Sequence, residues 1–395
     1  MSNRLDFKLI DFDNHYYEPI DVWSRHLDER IKKQGRGVEI VTKDNRSYPA
    51  IGRKISHFVP NITFDHVAEP GSLEAYFRGE ESAGATQTAK VETIKPEYQQ
   101  RAPREKVMEA QGVEEAVLLP TFGYHIEEAL CDDLEAMHAQ LRALNRWLDE
   151  EWGFAGPTIA APVIALSDPS EAIAEIEWAL ERGARVLTMR PGPVAVGGNQ
   201  WCSPSNRRFH RAWELINEAG ITVAYHAGDA GYFRYFKDYD DPPVMDSFSP
   251  HMRLGALFSL DRPIQDTLAD LIMRRHFERF PNLRIASVEL GCEWLFHLLP
   301  RLNMQYRRRP NIFAEDPMET IRRHLWVSPF WEDNVVELLD TVGADRIVFG
   351  SDWPHPEGTH EPGDFVHHLP PELPPEDVRR IMRDNAADLL TRRPA

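Results

Sequence analysis

Leu9 to Pro19 reads LIDFDNHYYEP, and the reading of this stretch decides the fold. Leu9, Ile10 and Phe12 mark a strand, while Asp11, Asp13 and His15 fall at alternate positions, so a period of two sends all three to one face. If that face looks into a barrel, ionisable groups stand where Val, Ile or Leu ordinarily pack. Two carboxylates and an imidazole are not buried together without a compensating positive charge, and a divalent cation is the simplest source of it. The competing reading is an edge strand whose acids are solvated.

The rest of the chain favours the barrel. Seven further apolar runs of strand length follow: Glu115 to Pro120, Ile159 to Leu166, Arg185 to Met189, Ile221 to Tyr225, Leu283 to Glu289, Leu325 to Val327 and Arg346 to Phe349. Nearly every one is followed by a helical pattern, such as Ile126 to Glu151 or Trp294 to Arg307. No GxGxxG turn follows any strand, so the alternation predicts an α/β fold of the (β/α)8 TIM-barrel type rather than an open doubly wound sheet. Two stretches lack a sustained period, at about 35–94 after strand one and about 230–261 after strand five. They are expected to be lid insertions on a single domain spanning 1–395. Within the first, Val38 to Val41 and Tyr48 to Ile51 flank Lys43-Asp44-Asn45 and predict a hairpin.

Composition narrows the partners. Lys plus Arg number 45 against 63 Asp plus Glu, a net charge of −18. No basic run is long enough to follow a phosphate backbone, which excludes nucleic acid and disfavours anionic membranes. No apolar stretch has the length of a membrane span and no signal peptide is visible, so the expected location is cytoplasmic. Cys131, Cys202 and Cys292 have no CxxC spacing and are read as packing residues.

In a barrel of this kind the chemistry lies at the C-terminal strand ends. Those ends carry Asp13 and His15, Arg190, His226, Glu289 and Asp352, far apart in sequence and convergent on one axis. Arg190 can hold a substrate carboxylate in a bidentate pair or form a salt bridge with Glu289. Asp352 lies in FGSDWPHP, where a turn or cap aspartate is the plain alternative to a residue that binds an ion. Glu18 and His355 are candidates to orient a ligand from behind, Glu18 also being a possible helix-starting acid. His57, His251 and Trp353 are candidate substrate contacts.

These residues resemble the amidohydrolase superfamily, and within it the amidohydrolase-related group that includes aminocarboxymuconate-semialdehyde decarboxylase, resorcylate-type decarboxylases and several lactonases. The motifs that carry the resemblance are the paired positions after strand one, the His after strand five and GSDWPHPEG after strand eight. The resemblance implies Asp13, His15, His226 and Asp352 as the shell of one divalent ion, Zn first, with Mn or Fe as alternatives. It further implies that Asp352, His226 and Glu289 act on a small carboxylated substrate, and that the protein is a homodimer or larger homo-oligomer. Three departures stand out. The family's His-x-His is Asp13-Asn14-His15 here; strand four ends in Arg190 with no Lys for a second metal; and Glu289 stands where decarboxylases of the group often carry a catalytic His. The leading expectation is metal-dependent hydrolysis of a small, cyclic or aromatic carboxylated compound, since an open-sited ion lowers the pKa of its water to about 7. Non-oxidative decarboxylation at the same site is the alternative, and a barrel that has lost catalysis and only binds is a third.

Overall fold

The computed structural model describes residues 5–43, 46–56, 64–73, 91–241 and 253–395. Strand β1 (Leu9–Tyr16) pairs in parallel with β2 (Val113–Pro120), and β2 with β3 (Thr158–Ala160). A second parallel run orders β4 (Val186–Met189), β5 (Thr222–His226), β6 (Arg284–Val288) and β7 (Leu325–Val327) as consecutive neighbours. The two runs join where Val163 bridges Thr188, with the Ile164 N–H donating to the Thr188 carbonyl at 2.9 Å. On the far side the Val348 N–H donates to Val327 O (3.0 Å) and the Phe12 N–H to Phe349 O (2.9 Å). The ring therefore closes as a (β/α)8 barrel, its eighth position filled by Ile347, Val348 and Phe349.

Two strands are shorter than the apolar runs suggest. The third stops at Ala160 because Pro162 has no N–H to give to a ladder. The eighth is held by single bridges, since the chain turns at Gly350 to bring Asp352 over β1. A Cβ at Gly350 would overlap Asp13 Cβ and lie 2.6 Å from Ser328 Oγ, so no larger residue fits there.

Ile10 and Phe12 fill the barrel interior together with Val117, Leu119, Ile159, Val186, Ala224, Val288 and Val348. The outer faces of the strands, including Leu118, Leu187 and Val223, pack with Trp147 and Trp213 of the surrounding helices in a separate core. The end of the barrel remote from the strand tips is stoppered by the C-terminal helix Asn385–Leu389. Ala386, Leu389 and Leu390 enter the interior cluster, and Arg284 donates to Asp388 O (2.9 Å) and Thr391 O (2.7 Å).

The simple alternation expected of β1 does not hold. Ile10 and Phe12 are the residues facing the axis, and the pairing with β2 shifts register between Asp11 and Asn14. That irregularity re-aims the strand, so Asp13 and His15 turn inward after Phe12, while Asp11 is left outside the site. Asp11 is fully buried and accepts four hydrogen bonds: Ser351 N–H (3.0 Å), Ser351 Oγ–H (2.6 Å), Asp13 N–H (3.2 Å) and Asn14 Nδ2 (2.9 Å). It ties the first strand to the eighth.

The expected hairpin is present: Val38–Lys43 pairs antiparallel with Arg46–Ile51. His66–Ala68 pairs with Val91–Thr93, and the intervening Gly71 and Leu73 N–H groups donate to His355 O (3.1 Å) and Pro356 O (2.9 Å). The described part of the first insertion is thus fastened to the loop after strand eight. His57 and His251 lie outside the described residues. Among the described residues no helix is long and apolar enough to cross a membrane.

Removing Asp11 leaves two buried backbone N–H groups, the Asn14 amide and the Ser351 hydroxyl without their acceptor. Asp11→Ala is expected to destabilise the protein by about 3 kcal/mol or more, as measured by urea unfolding with an unchanged m-value. A loss below about 1 kcal/mol would mean that the strand one to strand eight junction is held by something else.

Candidate metal centre

Four side chains from three strand ends meet on the barrel axis. His226, the last residue of β5, directs Nε2 to within 2.8 Å of Glu289 Oε2, 3.3 Å of His15 Nε2 and 3.5 Å of Asp13 Oδ1. His15 Nε2 lies 3.3 Å from each of Asp13 Oδ1, Glu289 Oε2 and Asp352 Oδ1. Donor atoms of Asp13, His15, His226 and Glu289 all fall within 4.8 Å of one another, and so do those of a second group, His15, Glu289, Asp352 and His355.

The arrangement has a defect that a cation repairs. His226 Nδ1 stands 2.8 Å from Ala227 O, a carbonyl that only accepts, so Nδ1 carries the hydrogen and Nε2 presents a lone pair. That lone pair confronts a carboxylate oxygen. Asp13 Oδ1 and Glu289 Oε2 are buried with no hydrogen-bond donor among the described residues. Unpartnered buried carboxylate oxygens converging on imidazole nitrogens are the donor set of a divalent ion, and the site fits one. Without the ion, protons must substitute. Burial opposes charge on His226, but the Glu289 and Asp13 carboxylates outweigh it and push its pKa up to about 10.

Asp352 is partnered differently. Its Oδ1 lies 2.7 Å from His355 Nδ1, and His355 Nε2 lies 2.9 Å from Thr121 Oγ1, which itself donates to Tyr16 O at 2.8 Å. The Thr121 hydroxyl has one hydrogen and gives it to the carbonyl, so it accepts from His355 Nε2–H. His355 then turns an acceptor nitrogen to Asp352, and a proton belongs between them. Burial, followed by the charges of Glu289, Glu357 and Asp13, holds the Asp352 carboxyl well above the usual range, and burial holds His355 well below its own. In the ion-free protein both shifts favour the carboxyl as the carrier of the shared proton.

Backbone geometry marks the same residues. Glu289 (φ 51°) and Asp352 (φ 56°) both occupy the left-handed region without being glycine, a conformation retained only where the surroundings over-determine it.

The supports are built from neighbouring loops. Glu18 accepts from the Phe122 N–H (3.0 Å) and the Gly123 N–H (2.8 Å), fixing the turn after β2 rather than touching the donor cluster. That turn carries Tyr124, whose ring stacks on His226 with centroids 4.5 Å apart and planes 9° from parallel, and whose hydroxyl meets Thr188 Oγ1 at 2.6 Å. Gly228 is required for this approach, because a Cβ there would come within 2.7 Å of Tyr124 Cβ. His355 stacks on His15 at 4.0 Å. Arg104, fully buried, donates to Asn14 Oδ1, to His15 O (2.7 Å) and to Glu97 O (2.7 Å).

Two sequence expectations are corrected. Arg190 pairs with Glu127 (3.0 Å) and donates to Pro193 O (2.9 Å), not to Glu289, because the loop after β2 places Glu127 beside the end of β4. Trp353 is buried between Tyr98 (5.5 Å) and Arg104 (4.5 Å), so its ring faces packing rather than a substrate. Tyr124, Thr121 and Arg104 were not singled out from sequence. Thr121 and Tyr124 follow the second strand directly, and the strand-end rule that found His226 applies equally to them.

The amidohydrolase family model matches residues 56–392, a range that begins after β1 and so omits Asp13 and His15. The chain is similar to an amidohydrolase from Mycobacterium avium subsp. paratuberculosis, with 39% identity, coverage of 98% of this chain and 100% of that one, and a TM-score of 0.89. It matches 2-amino-3-carboxymuconate-6-semialdehyde decarboxylase of Dictyostelium discoideum at 24% identity over 183 residues, 39% of this chain and 50% of that protein. The chain thus spans about half the length of that curated relative. A dihydroxybenzoic acid decarboxylase from Polaromonas, solved with bound manganese and 2-nitroresorcinol, shares the fold at a TM-score of 0.63 and 13% identity, covering 97% of both chains.

Because His226 has to surrender its proton to a cation, divalent-ion affinity should rise with pH. Below the ion-free pKa of about 10 each displaced proton weakens apparent binding up to about tenfold per pH unit. Calorimetric titration with Mn(II) at pH 6.5, 7.5 and 8.5, in buffers of differing ionisation enthalpy, should show affinity increasing with pH and net proton release. Affinity independent of pH, with no proton release, would contradict the donor assignment.

Proposed function

The chain belongs to the amidohydrolase family, and on that premise we propose that it is a manganese-dependent decarboxylase of a small aromatic or unsaturated carboxylic acid. The observation that carries the reading is the Asp352 carboxyl held on His355 at 2.7 Å beside the four-donor cluster. Decarboxylation needs an acid to deliver a proton to carbon, and the Asp352–His355 pair is placed to hold one. Hydrolysis, the leading expectation from the motifs, needs Asp352 to arrive ionised and act as a base on water. Burial and the Glu289 charge oppose that state. The decarboxylase names among the relatives support the same reading, and the manganese of the Polaromonas protein supports Mn over the expected Zn.

Asp13, His15 and His226 would hold the ion with a fourth carboxylate. When bound, the ion would neutralise the substrate carboxylate with an adjacent oxygen and draw off the negative charge that develops as the bond breaks. The chain's own residues do the rest. Tyr124, stacked on His226, and Arg104, on the His15 carbonyl, fix the two imidazoles. The bond between the carboxylate and its carbon breaks, carbon dioxide leaves, and the electron pair stays on that carbon. Asp352 gives its proton to the carbon, forming the C–H bond, and is left ionised next to His355. The chain from Asp352 through His355 to Thr121 keeps the carboxyl aimed.

Screening aromatic and unsaturated acids with the Mn(II)-loaded protein should reveal carbon dioxide release and a product lacking one carboxyl group. Asp352→Asn should lower the rate by about 10²–10⁴-fold. Incorporation of water-derived oxygen into a product without carbon dioxide would establish hydrolysis in its place. A loaded protein that turns over nothing yet binds these acids would support the binding barrel.

A further inference from the structure

Large apolar side chains left in water are ordinary when they stand singly and informative when they gather. Nine stand out among the described residues, and four of them belong to the second insertion: Tyr235 (57% exposed), Tyr239 (54%), Leu257 (62%) and Phe258 (41%). The other five, Ile20, Val91, Met273, Ile312 and Val336, are scattered along the chain. The four come from two short helical pieces: Phe233–Phe236 with the turn Lys237–Tyr239 that continues it, and Leu254–Phe258. These pieces pack together, and Asp241 Oδ2 accepts the Gly255 N–H at 2.7 Å where they meet. The Tyr235 and Tyr239 rings stand 5.3 Å apart.

The patch is built on a fixed base. Phe236, between the two tyrosines, is buried. Arg234 lies over the Trp201 ring at 3.8 Å and pairs with Glu128 in the loop after β2. The Tyr232 hydroxyl donates to Asp266 Oδ2 at 3.0 Å. A surface whose backbone is already held loses little entropy when a partner covers it, and exposed tyrosines bring a large apolar ring with a polar tip to such a contact.

The charges around the patch identify the partner. The chain carries a net charge of −18, so two copies repel one another over most of their surface. Beside the apolar group, exposed Lys237 and Arg253 stand with exposed Asp238 and Asp240, two positive charges against two negative. A cationic partner would be drawn to the acidic faces elsewhere. An apolar centre with a balanced rim instead suits the same patch rotated about a two-fold axis, where Lys237 of one copy meets the acids of the second. We propose that this face of the second insertion is the contact between two copies of the chain in an isologous dimer. The metal centre is formed within one chain, so association and ion binding are separable.

Sedimentation velocity of the full-length protein is the test. The wild-type chain should sediment as a dimer. Tyr239→Asp combined with Leu257→Glu should raise the dimer Kd by about a hundredfold or more, leaving monomer with an unchanged circular dichroism spectrum. A wild-type protein that stays monomeric overturns the proposal and leaves the face to a different partner. A double variant that folds and remains fully dimeric overturns it as well. Should the double variant not fold, carbodiimide cross-linking of mixed isotopically light and heavy wild-type chains decides the matter. An intermolecular link from Lys237 to Asp238 or Asp240 upholds the proposal, and links confined to other faces, or none, overturn it.

Discussion

Carboxylate oxygens and imidazole lone pairs confined within a few ångströms on the axis of a closed barrel repel one another, and the rest of the structure depends on how that repulsion is resolved. In water such a group of donors would be solvated separately. In the barrel, Asp13, His15 and His226 are buried, and Glu289 Oε2 is sealed off with them. Only protons or a cation can hold them together. The raised pKa of His226 and the upward push on the Asp352 carboxyl in the ion-free protein are two expressions of that one constraint.

The surroundings hold the donors against their repulsion. Asp11 binds the first strand to the eighth, so Asp13 and Asp352 are positioned by one junction, and the Asp352 N–H donates to Asp13 O at 2.8 Å. Glu18 anchors the turn that lays Tyr124 on His226. Arg104 grips the carbonyl of His15 from behind β1. Each contact comes from an element distant in sequence, which explains how a site drawn from several strand ends can be rigid. The left-handed backbone at Glu289 and Asp352 is the local cost of pointing both carboxylates inward.

Much of this was legible in the sequence, for identifiable reasons. The alternation of strand and helix fixes the barrel, and once the barrel is accepted every polar residue at a strand tip becomes a candidate. His15, His226, Glu289 and Asp352 emerge in that way. The facing of β1 was not legible, because the register shift between Asp11 and Asn14 breaks the period that the reading relied on. Arg104 was hidden too. In the helix Arg101–Gln111 an arginine among Glu and Lys reads as solvated, yet this one is turned to Asn14 and buried. The partner of Arg190 depended on where the β2 loop carries Glu127, which no local pattern encodes.

The claim on which all of this turns is that a divalent cation belongs among the carboxylates and imidazoles that meet at the strand tips around His15 and His226. Elemental analysis of the protein purified without chelators, and again after chelation and reloading, tests it most directly. The account predicts about one divalent transition ion per chain, removed by chelator and recovered with Mn(II). A protein that carries none as purified, and takes up none on reloading, would contradict it.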